Sequence, residues 1–191
     1  MVTLRENNKK AWQETDTTVP SINDFVLKAT ANALQSHPQL NAALIDNAIH
    51  QYLDIHLGVA VEVDAGLVVP VVHDTGSLSL LEIAAMVKRL GNRAQSGQLT
   101  PEELDRATFT VTNLGHLGID WFTPVLNPPQ CAILGVGRVR KTPAVEGDSI
   151  VARDTMTLVL TFDHRVIDGA PCARFLAELR NQIENPELLL A

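Results

Sequence analysis

Asp163, His164, Arg165 and Asp168 set four ionisable side chains within six positions near the C-terminus, and Gly169 closes the run. An imidazole is both basic and largely unprotonated near neutral pH, so a histidine held at a turn is equipped to take a proton from a thiol or hydroxyl. Holding it there is the task of the flanking chain. Met156, Leu158, Leu160 and Phe162 recur with a period of two, which predicts a half-buried β-strand running up to the turn. Gly169-Ala170-Pro171 then starts a helix with proline near its first turn. By residue type alone a histidine in such a turn is structural more often than catalytic, because surface turns collect polar groups. Asp163, His164 and Asp168 also carry metal-ligating atoms, but no other residues supply a matching cluster, so no metal is expected.

The composition bounds what the turn can belong to. The chain has 191 residues, 46% hydrophobic and 19% charged, enough to bury a substantial core and too apolar for a disordered chain. A net charge of −7 offers no basic footprint for nucleic acid or an anionic membrane. No apolar run approaches the roughly 20 residues that span a bilayer, and Met1 to Glu6 lacks the apolar core of a signal peptide. Cys131 and Cys172 stand in no metal-binding or redox spacing, so they read as buried free thiols in a reducing compartment. That compartment is the cytoplasm, or the mitochondrial matrix in a eukaryote.

The rest of the chain supplies a scaffold. Residues 1 to 20 suggest a helical turn or two. Ser21 and Asp24 then form a capping pattern ahead of Ile22, Phe25, Val26, Ala29, Ala33 and Leu34, one helical face that ends at His37-Pro38. Leu53 to Val63 alternates over a long span and reads with Leu67 to Val72 as a β-hairpin, with Pro70 at a bulge or an edge. Ser79 and Glu82 cap a second helix running to Gly97, and Thr100-Pro101-Glu102-Glu103 starts a short third one. Thr108 to Thr112 and Cys131 to Gly137 read as strands, and Glu146 to Ser149 as the turn into the strand that delivers His164. Cys172, Phe175, Leu176, Leu179 and Ile183 share a face of the last helix. The fold class is therefore α+β, a mixed or antiparallel sheet packed with helices, in one domain. No glycine-rich phosphate loop follows a strand, which disfavours a dinucleotide-binding fold.

Asp163-His164-Arg165-x-x-Asp168-Gly169 resembles the signature of the dihydrolipoamide acyltransferases, the core subunits of 2-oxo-acid dehydrogenase complexes, whose fold is that of chloramphenicol acetyltransferase. The likeness runs along the chain. It includes Ser21 to Phe25 with His37 to Ala42, Gly58 to Val61 with Gly66 to Val71, Thr108 to Gly115, and Asn127-Pro128-Pro129-Gln130. The resemblance implies that His164 is the base acting on the thiol of coenzyme A or dihydrolipoamide. It implies that Thr112 donates its hydroxyl to the oxyanion of the tetrahedral intermediate and that Asp168 orders the site, while Asp163 and Arg165 are expected to fix the turn as an ion pair. Coenzyme A would be a substrate and the lipoyl group would be presented by a separate domain.

The same resemblance implies a homotrimer with each active site at a subunit interface, set among lipoyl domains and the other complex subunits. A larger cubic or icosahedral core would form through Leu188, Leu189 and Leu190. Residues 1–191 are expected to form a single acyltransferase catalytic domain without the family's opening helix and strand and without its lipoyl and subunit-binding domains. Gly169-Ala170 is more similar to acetyl- and branched-chain-type members than to succinyl-type ones, so acetyl is the expected acyl group. A weakly active scaffold, or an acyltransferase with a non-thiol acceptor, are the competing readings. Histidines 37, 50, 56, 73 and 116 read as structural or solvated, with His116 the nearest to Thr112.

Overall fold

The computed structural model describes residues 1–15 and 17–190. Two helices come first, α1 (Val2–Glu14) and α2 (Ile22–Ser36). The strands β1 (Ala42–Ile45), β2 (Ala48–Gln51), β3 (Leu57–Val59), β4 (Val61–Val63), β5 (Gly66–Val68) and β6 (Val71–Val72) follow, then α3 (Leu80–Gln95). Next come β7 (Phe109–Asn113), β8 (Ala132–Val136), the pair β9 (Arg140–Glu146) and β10 (Ser149–Thr155), β11 (Leu158–Phe162) and α4 (Gly169–Glu184). The main sheet has the order β11-β8-β7-β3-β6, with β7 parallel to β3 and β8 and with antiparallel strands at both edges. The sheet is mixed and helices pack on it, so the architecture is α+β.

Register divides the sheet into two faces. Phe109, Ala132 and Phe162 lie abreast, as do Val111, Leu134 and Leu160, and with Leu57 and Val59 they form the face that the helices cover. Phe109 meets Phe175 of α4 at 5.9 Å between ring centroids. Thr110, Ile133 and Thr161, and beside them Thr112, Gly135 and Val159, point the other way. That second face is roofed by the loop after β7. A side chain at Gly135 would press on Phe122 and Pro124, so only glycine lets the roof come this close.

Two helices, α2 and α3, begin and end where their sequence signals lie. Ser21 accepts from the Asp24 amide while Asp24 takes the Ser21 amide at 2.7 Å, and Ser79 with Glu82 repeats the device at α3. Each such cap contributes on the order of 1 kcal/mol. α2 is buried beyond the single face that its periodicity predicts, because it also packs Leu27, Lys28, Thr30 and Ala31 between α3 and α4. Lys28 is reconciled with that position by donating to the Leu78 carbonyl at 2.8 Å.

Several expectations need correction. α1 runs 13 residues rather than a turn or two, although it buries no residue fully. The alternation from Leu53 to Val63 is not one strand: Leu53 is exposed, pairing starts at Leu57, and the strand is interrupted at Ala60, whose amide donates to Val111. β3 pairs with β6 and β4 with β5, with Pro70 at the break between them. Gly147 turns the chain into β10 rather than into the strand before His164, so β9 and β10 form a separate two-stranded arm. The β1–β2 hairpin, turned by Asp46 and Asn47 at positive φ, had no strand expectation at all. At the C-terminus Leu189 is buried in the chain's own core, leaving Leu188 and Leu190 exposed. Ala191 lies outside the described residues.

Candidate active site

His164 stands just past the end of β11. The backbone that carries it is fixed from both sides: the Asp163 amide donates to the Cys131 carbonyl at 2.8 Å, and the Asp163 carbonyl accepts from Val166 at 2.9 Å and Ile167 at 3.2 Å. Asp163 and Arg165 form the expected ion pair. Arg165 Nε and Nη2 both donate to the Asp163 carboxylate, and the Arg165 amide adds a third contact at 2.9 Å. The guanidinium hydrogen bonds, followed by that amide, hold the Asp163 carboxyl down to about 2. The turn is thus rigid in its backbone, while the His164 ring is 70% exposed and has no hydrogen-bond partner among the described residues.

Asp168 is the N-cap residue of α4, and its side chain caps nothing. Its Oδ1 lies 3.6 Å from His164 Nδ1, beyond hydrogen-bond range. A small rotation of these two exposed side chains would close the gap. The spacing of four therefore does bring Asp168 beside His164, at the Nδ1 edge of the ring.

Thr112 is elsewhere. It lies on β7 opposite Gly135, on the roofed face and half-buried. Phe162, the last residue of β11, is level with Phe109, so Thr112 is three residues along and two strands across from it. With about 3.3 Å per residue and 4.8 Å per strand, that is roughly 14 Å, and His164 is farther still. Within one chain the predicted base and the predicted oxyanion donor do not meet.

A cleft of about 770 Å³ opens at the C-terminal ends of β7 and β8. Val59, Asn113 and Val136 line it, so it lies on the helix-covered face and not on the face of Thr112. His116 lines this cleft too, and the structure does not bring it to His164. Asn113 is tied down there by donating to Asn23 Oδ1 at 2.9 Å and accepting the Gly115 amide at 2.8 Å. The remaining histidines have structural partners or none: His37 meets Glu178 at 2.9 Å, His73 donates to the Glu102 carbonyl, and His50 is exposed. Cys131 and Cys172 are buried free thiols, both pushed up by burial, Cys172 to about 11, which suits packing and not nucleophilic chemistry.

Gln130 and Thr110 form a buried polar pair beneath the site that sequence reasoning left without a role. The Asn127-Pro128-Pro129-Gln130 block was the available signal.

The family described as 2-oxoacid dehydrogenases acyltransferase (catalytic domain) matches residues 1–191. The dihydrolipoyllysine-residue acetyltransferase component of the acetoin cleaving system of Bacillus subtilis is 40% identical over 190 residues, covering 100% of this chain and 48% of that protein. The chain thus spans about half the length of that relative. Among solved structures, the dihydrolipoamide acetyltransferase of Azotobacter vinelandii superposes with a TM-score of 0.93 at 32% identity, over 99% of this chain and 78% of that one. That structure concerns the role of a serine, a histidine and an asparagine in its catalytic mechanism; the histidine follows the serine by 52 residues and the asparagine follows the histidine by four. The cubic core of the pyruvate dehydrogenase multienzyme complex superposes equally well, at 0.93 and 33% identity over 99% of this chain and 78% of that one. Chloramphenicol acetyltransferase, at 13% identity, covers 94% of this chain and 82% of its own with a TM-score of 0.55, which identifies the fold.

Proposed function

Because the chain belongs to the catalytic domains of the 2-oxo-acid dehydrogenase acyltransferases, we propose that it moves an acetyl group between dihydrolipoamide and coenzyme A, with His164, Thr112 and Asp168 as its working residues. One observation carries the assignment. Thr112, His164 and Asp168 are separated by 52 and four residues, the intervals that separate the serine, histidine and asparagine of the Azotobacter enzyme. Acetyl is supported by the similar proteins, which are named as acetyltransferases.

The chemistry follows from the geometry of each half. His164 takes the proton of the attacking thiol, and the sulfur forms a bond to the thioester carbonyl carbon. The carbonyl oxygen becomes an oxyanion and receives a hydrogen bond from the Thr112 hydroxyl. Collapse of the tetrahedral intermediate breaks the bond to the other sulfur, and the leaving thiolate takes the proton back from His164. Asp168, accepting from Nδ1–H, would keep Nε2 free of hydrogen and so available as the base.

The separation of His164 from Thr112 within a chain supports a site completed by a second copy, His164 of one subunit facing Thr112 of the next, as in the expected trimer. Leu188 and Leu190, exposed at the C-terminus, are the side chains then available to join trimers into a larger core.

The test is co-assembly. His164→Ala and Thr112→Val subunits should each be nearly inactive in thioester formation from acetyl-CoA and dihydrolipoamide, whereas mixed particles should regain activity, since some interfaces then pair two intact halves. Mixed particles no more active than their components would refute the shared site. A wild-type chain that assembles and gives no thioester would refute the transferase reading.

A further inference from the structure

Thr112 and His164 depend on two different segments, and one buried side chain links them: Gln130 belongs to the segment that holds the His164 turn and hydrogen-bonds the segment that leads to Thr112. Gln130 is 5% exposed and lies two residues before β8. Its Oε1 accepts from Thr110 Oγ1 at 2.7 Å and its Nε2 donates to the Ala107 carbonyl at 3.0 Å. A carbonyl only accepts, so the amide has a single satisfied orientation. Thr110, 1% exposed, in turn accepts from Asn127 Nδ2 at 3.4 Å. The result is a one-way chain of hydrogen bonds, from Asn127 to Thr110 to Gln130 to Ala107.

Two consequences follow from where this chain lies. Thr110 and Thr112 are on the same face of the same strand, so fixing Thr110 fixes the direction in which Thr112 presents its hydroxyl. On the other side, the next residue, Cys131, donates its amide to the Ala42 carbonyl at 2.9 Å and accepts the Asp163 amide through its own carbonyl at 2.8 Å. Asp163 is the residue from which the His164 turn starts. Gln130, anchored by its side chain, is therefore the immediate neighbour of the residue from which the His164 turn hangs.

We infer that Gln130 is a positioning residue for acyl transfer: its side-chain amide locks the strand that presents Thr112 against the segment that holds the His164 turn. This rests on the transferase reading above. Gln130 touches no reacting atom, and its contribution is geometry. A misplacement of about 1 Å at such a site can cost on the order of a hundredfold in rate.

The experiment compares Gln130→Glu, Thr110→Val and Thr110→Ser with wild type, measuring kcat and KM for thioester formation from pH 6 to pH 8, along with particle size and Tm. Glutamate keeps the shape and the acceptor for Thr110, but as a carboxylate it turns an acceptor toward the Ala107 carbonyl. At pH 8 its kcat should fall roughly 10- to 100-fold with KM changed by less than about twofold. Burial raises a carboxyl pKa, so protonation restores a donor as the pH falls, and the deficit relative to wild type should shrink toward pH 6. Thr110→Val should show a comparable kcat deficit with no such recovery, and Thr110→Ser should behave as wild type. Wild-type kcat in both Gln130→Glu and Thr110→Val would overturn the inference. So would a deficit that tracks lost assembly or lowered Tm, or one that falls on KM. Should Gln130→Glu fail to fold, the Thr110 pair decides alone. An inactive wild-type particle overturns the transferase reading and this inference with it, which separates that failure from the failure of Gln130 alone.

Discussion

His56 and His164 each stand at the end of a main-sheet strand beside two aspartates, Asp54 and Asp74 around the first and Asp163 and Asp168 around the second. Each has a carboxylate oxygen near Nδ1, at 3.7 Å and 3.6 Å, but they differ in burial and in hydrogen bonding. The His56 ring is 14% exposed, its Nδ1 accepts the Asp74 amide at 2.9 Å, and it stacks edge-on against His73 at 5.0 Å. The His164 ring is open, tilted against Phe162 at 5.5 Å and without a hydrogen bond among the described residues, while the backbone beneath it is pinned. A histidine whose lone pair is already engaged by the fold contributes stability, and one whose fold ends at the Cβ is left free to do chemistry.

That contrast predicts where substitutions register. His164→Ala should lower acetyl transfer by about three orders of magnitude, in the range expected for a lost general base, with Tm and particle size unchanged. A loss of assembly alongside activity would place His164 with His56, as part of the scaffold. Thr112→Val should cost roughly a hundredfold, the cost typical of a missing oxyanion donor, and Thr112→Ser should restore most of it, since the hydroxyl is what the intermediate needs. Equal rates for valine and serine would remove Thr112 from the chemistry.

The contrast was only half legible in the sequence. Elements whose signals are local came through: both capping boxes, the helix breaks at His37-Pro38 and Gly97, and the strand ending at Phe162 all depend on residues a few positions apart. The Asp163–Arg165 pair was legible for the same reason. What failed depends on partners far along the chain. The run from Leu53 to Val63 alternates without interruption, yet Ala60 turns to Val111, 51 residues away, and nothing near Ala60 announces that choice. Gln130 stood in the sequence only as the end of the Asn127-Pro128-Pro129-Gln130 block, without a role, because its partners, Thr110 and Ala107, are meaningful only once β7 and β8 lie side by side. The resemblance set the two half-sites on neighbouring subunits; why they stay apart within one chain is visible only in the register of the sheet.

Arg165→Ala should separate the rigid turn from the free ring. Asp163 is held to about 2, below the ordinary carboxylate value of 3.8, so its contribution to stability is fully present above pH 4 and is lost as the pH falls toward 2. The variant keeps the amide hydrogen bond and should lack only the guanidinium's share of this contribution at neutral pH, converging on wild type as the pH falls toward 2. Arg165 is largely exposed, so the effect is that of a solvent-screened pair, about 1 kcal/mol or less, or a Tm change of roughly 2 °C. A difference independent of pH would mean that Arg165 acts through packing instead.

His56→Asn should give the smallest effect, and it bears on the comparison most directly. An asparagine Oδ1 can replace Nδ1 as acceptor for the Asp74 amide while removing the titration. Burial, then the neighbouring His73, lowers the His56 pKa below 6.5. The folded state therefore binds a proton less readily than the unfolded chain does. Stability is present in full above pH 6.5 and declines as the pH falls below it. Wild type should accordingly lose stability between pH 6.5 and 5 faster than His56→Asn, by a fraction of a kcal/mol, while acetyl transfer at pH 7.5 stays the same in both. Urea titrations at several pH values would measure the slope. Parallel slopes would mean that the His56 ring is not the buried neutral acceptor its contacts describe, and a fall in activity at pH 7.5 would mean that the two strand-end histidines are not divided between scaffold and chemistry.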